Sequence, residues 1–169
     1  MTAGPLRLVV MGVSGCGKST LGAALAARLE ADFIDADTLH PPANLAKMAA
    51  GVPLTDADRW PWLEAVAQAL CGPAPVVMAC SALRRIYRDR LRAAEGVRFL
   101  HLSAPQAVIL ARMQARQNHF MPASLLASQY ETLEPPGPDE AITLDAALPV
   151  AALTEAALRR LAPVRPSEN

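Results

Sequence analysis

The amino-acid sequence predicts a three-layer α/β domain, in which helices cover both faces of a mainly parallel sheet. Short apolar runs alternate with longer helical segments, and most of the runs are continuously apolar rather than alternating in polarity. Strands that are covered on both faces have this character, and regular alternation of strand and helix is typical of a parallel sheet. The five runs interpreted as strands are 6–11, 33–34, 76–80, 97–102 and 142–144.

Length and charge limit the remaining possibilities. The chain has 169 residues and a formal net charge of zero. We expect one domain over residues 1–162, followed by a loose tail at 163–169. A balanced charge argues against nucleic-acid or membrane partners, and no apolar run reaches membrane-spanning length. The predicted helices are 21–30, 41–50, 60–71, 82–94, 105–116, 123–132 and 150–161.

The cysteines indicate the cellular compartment. Cys16, Cys71 and Cys80 lack the spacing of metal ligands, and an odd number cannot all pair within one chain. The N-terminus enters its first strand almost at once and lacks the layout of a signal peptide. We therefore expect a reduced, cytoplasmic protein.

The first predicted strand ends in a phosphate-binding loop. Residues 12–20 match G-x-x-x-x-G-K-S-T, with a strand before them and a helix after them. The glycines let successive N–H groups face one point, and the N-terminus of the helix adds to the positive field. Lys18 supplies a mobile charge for the outer phosphates, and Ser19 supplies a hydroxyl for Mg²⁺. The predicted nucleotide contacts are Gly12, Val13, Ser14, Gly15, Cys16, Gly17, Lys18, Ser19, Thr20 and, from a later helix, Arg112.

Two carboxylates follow the second predicted strand. Asp35 and Asp37 flank one residue, so they point the same way on an extended strand end. We expect Asp35 to hold Mg²⁺ or its water, and Asp37 to orient and deprotonate an acceptor hydroxyl. The alternative is that both are solvated turn residues, one of which caps the next helix. No carboxylate follows the run at 76–80, which favours a small-molecule kinase over a motor or switch.

Two segments are predicted to be insertions that close over the site. They cover residues 38–59, a substrate-binding insertion, and 116–139, a lid. Arg112 and Arg116 share a helix face and lead into the lid, where arginine can stack on adenine or clamp the transferring phosphate. We assign Arg116 a catalytic role beside Lys18. The alternative is an exposed basic face.

The middle of the chain offers further candidates. Arg84 and Arg88 share a helix face and could bind a substrate carboxylate, although a solvated face fits their spacing equally well. Trp60 and Trp62 flank Pro61 at a predicted helix start. We expect both tryptophans to anchor the core rather than to stack on a ligand.

Several stretches resemble one family. The sequence reads Asp-Ala-Asp-Thr-Leu-His-Pro at 35–41, Asp-Ala-Asp-Arg-Trp-Pro-Trp-Leu at 56–63, Cys-Ser-Ala-Leu-Arg at 80–84 and Ser-Gln-Tyr-Glu-Thr-Leu-Glu at 128–134. Together with the phosphate loop, these stretches strongly resemble the bacterial-type gluconokinases of the nucleoside-monophosphate-kinase-like P-loop fold. The resemblance extends from about residue 8 to residue 145.

The resemblance implies a fold and a reaction. It implies a five-stranded parallel sheet, commonly a homodimer, and Mg²⁺-dependent transfer of phosphate from ATP to the 6-hydroxyl of D-gluconate, giving 6-phosphogluconate. By resemblance, the gluconate contacts are expected to be Asp37, His40, Lys47, Arg59, Arg88 and Gln129.

The sequence leaves two other functions open. One is a kinase of another small hydroxy acid, such as shikimate, although the runs after Leu39 and Cys80 fit that family poorly. The other is a nucleotide-dependent switch or binding module without an acceptor. The absence of a carboxylate after the run at 76–80 argues against the switch.

Overall fold

The computed structural model describes residues 6–115 and 124–162. In this part of the chain, five strands form one sheet of order β2-β3-β1-β4-β5, and every neighbouring pair is parallel. The predicted fold class is confirmed. The strands are β1 (Arg7–Met11), β2 (Asp32–Asp35), β3 (Val76–Ala79), β4 (Val97–Ser103) and β5 (Ala141–Asp145).

Helices connect the strands, as parallel pairing requires. A 3-10 turn (Ala36–Leu39) follows β2 directly. No helix in residues 6–115 and 124–162 has both the length and the apolar character to cross a membrane. The α-helices are α1 (Lys18–Arg28), α2 (Pro42–Ala49), α3 (Asp56–Leu70), α4 (Arg85–Leu91), α5 (Gln106–Ala115), α6 (Ser124–Thr132) and α7 (Val150–Leu161).

The central strand β1 shows why the domain has three layers. Its side chains alternate between the two faces, so Leu8 and Val10 join one apolar cluster while Val9 and Met11 join the other. The first cluster includes residues of α1, α5, α6 and α7, and the second includes residues of α3 and α4. Burial on both faces explains why this strand reads as a continuous apolar run.

The strand order places the phosphate loop in the middle of the sheet. From β1 the chain crosses past β3 to the edge strand β2, returns to β3, and then continues on the other side of β1 with β4. Ligands of parallel sheets bind at such a switch point, at the carboxyl ends of the strands. The loop after β1, the turn after β2 and Ser81 after β3 therefore meet at one edge.

Helix α3 and one of its two tryptophans differ from the predictions. Helix α3 begins at Asp56 rather than at residue 60, because Thr55 and Asp58 form a capping box: each side chain accepts a hydrogen bond from the other residue's backbone N–H. This places both tryptophans within α3. Trp62 is buried as expected, but Trp60 is 39% exposed, so its assignment to the core is wrong.

Candidate active site

The phosphate loop is built by close backbone packing. At Gly12, with φ of 149°, an added Cβ would lie 2.8 Å from the Leu102 carbonyl oxygen and 2.8 Å from Cys16 Sγ. Only glycine fits that approach. Gly17, with φ of 95°, is the N-cap of α1, and no side chain caps the helix there. The first backbone N–H groups of α1 are thus left to bind an anion.

The ammonium group of Lys18 and the predicted metal ligands Ser19 and Asp35 lie beside this loop. Lys18 Nζ donates to the Val13 carbonyl oxygen at 3.0 Å. Ser19 Oγ donates to Asp35 Oδ2 at 2.9 Å, so a hydroxyl and a carboxylate from two different elements are in contact. Mg²⁺ takes oxygen ligands and is usually bound by one or two carboxylates together with substrate phosphates. The donors present fit that ion.

Asp35 and Asp37 have different local environments. Asp35 caps the 3-10 turn, because its Oδ1 accepts from the Asp37 N–H at 3.0 Å. The Asp37 side chain points into the pocket described below. Burial raises the pKa of the Asp37 carboxyl, the nearby Lys18 charge lowers it, and the Asp35 charge raises it further. A carboxylate with a raised pKa is a better proton acceptor near neutral pH.

His40 is held rigidly at the edge of the pocket. Its ring stacks on Trp62 with centroids 4.2 Å apart and an interplanar angle of 13°. Trp62 is fixed in turn, since its Nε1 donates to the Ala36 carbonyl oxygen at 2.8 Å. Burial, with a smaller effect of the Arg59 charge, lowers the pKa of His40 to about 4. His40 is therefore neutral at physiological pH.

Arg59 is the cation of the pocket wall. It is 9% exposed, and one of its terminal nitrogens donates to the Leu54 carbonyl oxygen at 2.9 Å and to Tyr87 Oη at 3.1 Å. In the described part of the chain, no carboxylate lies within ion-pair distance of Arg59. A buried charge usually has a partner of opposite sign. The positive charge of Arg59 therefore favours binding of an anionic ligand in this pocket.

The pocket joins the phosphate loop to the segment after β2 and to α6. Six of the predicted site residues line it, namely Ser14, Lys18, Asp37, His40, Arg59 and Gln129. The remaining lining residues had not been assigned to a ligand. They are Met48, Val52, Pro53, Leu54, Trp62, Ser81, Leu83, Leu125 and Ser128.

Some of these residues carried a recognisable signal in the sequence. Ser81 and Leu83 lie in the stretch 80–84 that supports the family resemblance, and Trp62 lies in the stretch 56–63. The contact between Gln129 and the loop had no such signal. Gln129 Oε1 accepts from the Ser14 N–H at 2.6 Å, across 115 residues of sequence, so α6 contacts the phosphate loop directly.

Arg88 requires a correction. It was expected to contact gluconate, but it is 1% exposed and does not line the pocket. Its Nε and one terminal nitrogen donate to the two carboxylate oxygens of Glu140, and its remaining hydrogen bonds go to backbone carbonyl oxygens of Ala82, Leu83 and Glu134. All five donors of the guanidinium are thus used within the chain. Arg88 joins α4 to the segment before β5.

Arg84, which is the N-cap of α4 and was predicted to share a helix face with Arg88, also has partners within the chain. It forms ion pairs with Asp56 and Glu134. Asp56 additionally accepts a hydrogen bond from Tyr87 Oη, the same hydroxyl that accepts from Arg59. Arg84 thereby supports Arg59 through Asp56 and Tyr87 rather than binding a ligand itself.

Three further predicted site residues are Lys47, Arg112 and Arg116. Lys47 Nζ lies 2.8 Å from Asp58 Oδ2 and outside the pocket lining, so its gluconate contact stays a prediction. Arg112 precedes Met113, whose side chain packs against the phosphate loop at Gly15. This position is compatible with the predicted nucleotide contact. Arg116 lies outside the described residues.

Comparison with known protein families and curated sequences gives a consistent result. The AAA domain family matches residues 8–136. A gluconokinase of Gluconobacter oxydans (strain 621H) is 49% identical over 148 residues, which cover 82% of this chain and 80% of that protein. A probable gluconokinase of Mus musculus is 42% identical over 179 residues, covering 90% of this chain and 97% of that protein.

Solved structures agree with the sequence relatives. A gluconokinase from Sinorhizobium meliloti 1021 superposes with a TM-score of 0.85 at 48% identity, covering 93% of each chain. A shikimate kinase from Aquifex aeolicus superposes with a TM-score of 0.66 at 16% identity, covering 92% of this chain and 96% of that one. The second similarity concerns the fold alone.

Proposed function

Because the chain belongs to the gluconokinase family, we propose that it transfers the γ-phosphate of ATP to the 6-hydroxyl of D-gluconate, giving 6-phosphogluconate and ADP. One observation carries the proposal. A single pocket contains the loop lysine Lys18, the carboxylate Asp37 and the buried guanidinium of Arg59, which has no carboxylate at ion-pair distance within the described part of the chain. These are the three groups needed for a phosphate donor, an acceptor hydroxyl and an acidic acceptor.

The nucleotide side of the reaction follows from the loop. The N–H groups at the start of α1 and the Lys18 ammonium bind the phosphates and stabilise the charge that develops during transfer. Ser19 and Asp35 would hold Mg²⁺, which would supply positive charge to offset that of the phosphates. Arg112, at the end of α5, and Arg116, which lies outside the described residues, are proposed to bind the nucleotide and the transferring phosphate.

The acceptor side depends on Asp37 and Arg59. Asp37 accepts the proton of the attacking hydroxyl, a role that its raised pKa favours. Arg59 binds the gluconate carboxylate and thereby places the opposite end of the sugar acid at the phosphate loop. Neutral His40 and the amide of Gln129 bind hydroxyl groups between these two ends.

The test is ADP release with a panel of acceptors. The protein is mixed with ATP, Mg²⁺ and D-gluconate, with shikimate, or with no acceptor. Release with gluconate alone supports the proposal. Release with shikimate identifies a different acceptor, and equal release without any acceptor identifies a nucleotide-dependent switch.

An Arg59 variant tests the orientation of the acid. Arg59→Gln removes the charge, and a hydrogen bond to a charged group contributes about 1.5–3 kcal/mol, so KM for gluconate should rise about tenfold or more while KM for ATP changes little. Arg98→Gln is the matched control, because Arg98 is exposed on β4 and, among residues 6–115 and 124–162, its side chain donates to the Leu161 carbonyl oxygen alone. An unchanged KM for gluconate in Arg59→Gln would remove Arg59 from the proposed site.

We propose further that the protein acts in the cytoplasm as a homodimer. The family resemblance and the reduced cysteines support this. Cys16, Cys71 and Cys80 are all free thiols. Light scattering of the purified protein measures the mass directly, and a mass of one chain would contradict the dimer.

A further inference from the structure

His40 has a defined hydrogen-bond partner behind it. Asn44, on α2, is 4% exposed, and its Nδ2 lies 3.2 Å from His40 Nδ1. The same Nδ2 donates to the Asp58 backbone carbonyl oxygen at 2.9 Å. Asn44 is not among the site residues predicted from the sequence.

These two contacts determine which ring nitrogen of His40 carries its proton. A backbone carbonyl oxygen can only accept, so the end of the Asn44 amide that faces Asp58 must be the NH₂ group. One of its hydrogens goes to the Asp58 carbonyl oxygen, and the other points at His40 Nδ1. Since His40 is neutral, Nδ1 holds a lone pair and the single proton is on Nε2.

The protonated nitrogen faces Asp37. His40 Nε2 lies 4.0 Å from Asp37 Oδ1. That separation is too long for a direct hydrogen bond, but a single oxygen atom can lie about 2.8 Å from both atoms. An acceptor hydroxyl in this position would accept from His40 and donate its own proton to Asp37.

We propose that Asn44 is a positioning residue that holds His40 as the Nε2–H tautomer, so that His40 and Asp37 together orient one hydroxyl of the acceptor. The inference rests on the proposed function, because it assigns Asn44 a part in acceptor binding. With the other tautomer, Nε2 would present a lone pair to the Asp37 carboxylate. Two acceptors would then face each other, and the hydroxyl between them could satisfy only one.

The tautomer can be measured without turnover. In ¹⁵N-histidine-labelled protein, NMR distinguishes protonated from unprotonated ring nitrogens, and the His40 signals are assigned by their loss in His40→Gln. We expect an unprotonated Nδ1 and a protonated Nε2 in the natural protein at neutral pH. A protonated Nδ1 would overturn the proposal, whatever the protein phosphorylates.

Substitution of Asn44 then connects the tautomer to the reaction. Asn44→Asp replaces the donor with a carboxylate that can only accept, so the proton should move to Nδ1, and kcat with gluconate should fall about tenfold, the effect of one lost hydrogen bond. Leu45→Asp is the matched control, because it adds the same charge at an exposed position of the same helix and should keep the natural tautomer and kcat.

The outcomes separate this proposal from the proposed function. A shifted tautomer with unchanged kcat would overturn the positioning role. If the natural protein has the Nε2–H tautomer but releases no ADP with gluconate, the proposed function is contradicted instead. The role of Asn44 in that reaction is then contradicted as well. If Asn44→Asp does not fold, Asn44→Ala replaces it: it removes the donor without adding charge, and unchanged Nε2–H population and kcat would overturn the proposal.

Discussion

Two buried histidines should lower the free energy of unfolding as the pH falls, and their pKa values give the size of the loss. Burial and the neighbouring charge of Arg59 lower the pKa of His40 to about 4, and burial with the charge of Arg88 lowers the pKa of His101 to about 4. Both side chains are almost completely buried, at 8% and 3% exposure. In the unfolded chain, a histidine has a pKa of about 6.5.

The sign of the effect follows from proton uptake. As the pH falls below about 6.5, the unfolded chain binds protons that the folded protein does not take up until about pH 4, so the unfolded state is favoured. Linkage over this window gives a loss of about 2 kcal/mol for each histidine between about pH 8 and pH 5, or about 4 kcal/mol for the pair. Small domains have a total stability of about 5–15 kcal/mol, so the loss should be plainly measurable.

Urea unfolding at the two pH values measures this loss. His101→Leu is the informative variant, because His101 lies on β4 outside the pocket lining. Its baseline stability can differ from that of the natural protein, but its loss between the two pH values should be about 2 kcal/mol smaller. Asp37 contributes in the opposite direction through its raised pKa, and the comparison of the two proteins cancels that contribution. Equal losses in the two proteins would refute the assignment of the buried, neutral His101.

Three further predictions address the loop, the chemistry and the core. Gly12→Ala should abolish nucleotide binding measured by calorimetry, since its Cβ would overlap a backbone carbonyl, whereas Gly96→Ala, with φ of 75° but open space around it, should bind normally. Asp37→Asn should lower kcat about a hundredfold to ten-thousandfold with little change in melting temperature; full turnover would contradict its role as the base. Arg88→Met should destabilise the protein by about 1–3 kcal/mol in urea unfolding, because it removes the donors to three backbone carbonyl oxygens and leaves Glu140 with Arg92 as its remaining ion-pair partner; a loss well below about 1 kcal/mol would show that the Arg88 contacts are dispensable.

Arg59 and Arg88 differ in their partners, and the sequence did not indicate this difference. Both were expected to contact gluconate, and both are buried arginines. Arg88 has Glu140 as its direct partner, whereas Arg59, among the described residues, donates to two neutral groups, the Leu54 carbonyl oxygen and Tyr87 Oη. The Glu140 pairing spans 52 residues, and no local pattern in the sequence indicates it. The same holds for the contact of Gln129 with Ser14.

The sequence by itself determined the parts of this protein that depend on local chain properties. Continuous apolar runs predicted the buried strands, and the glycine spacing before Lys18 predicted the phosphate loop, because both depend on neighbouring residues. The placement of Asp35 and Asp37 at a strand end followed from the same local reasoning. Only the tertiary structure decided which charged groups are left for a ligand. That outcome depends on contacts between distant segments, such as those of Tyr87 with Arg59 and of Glu140 with Arg88, which form only when the layers pack.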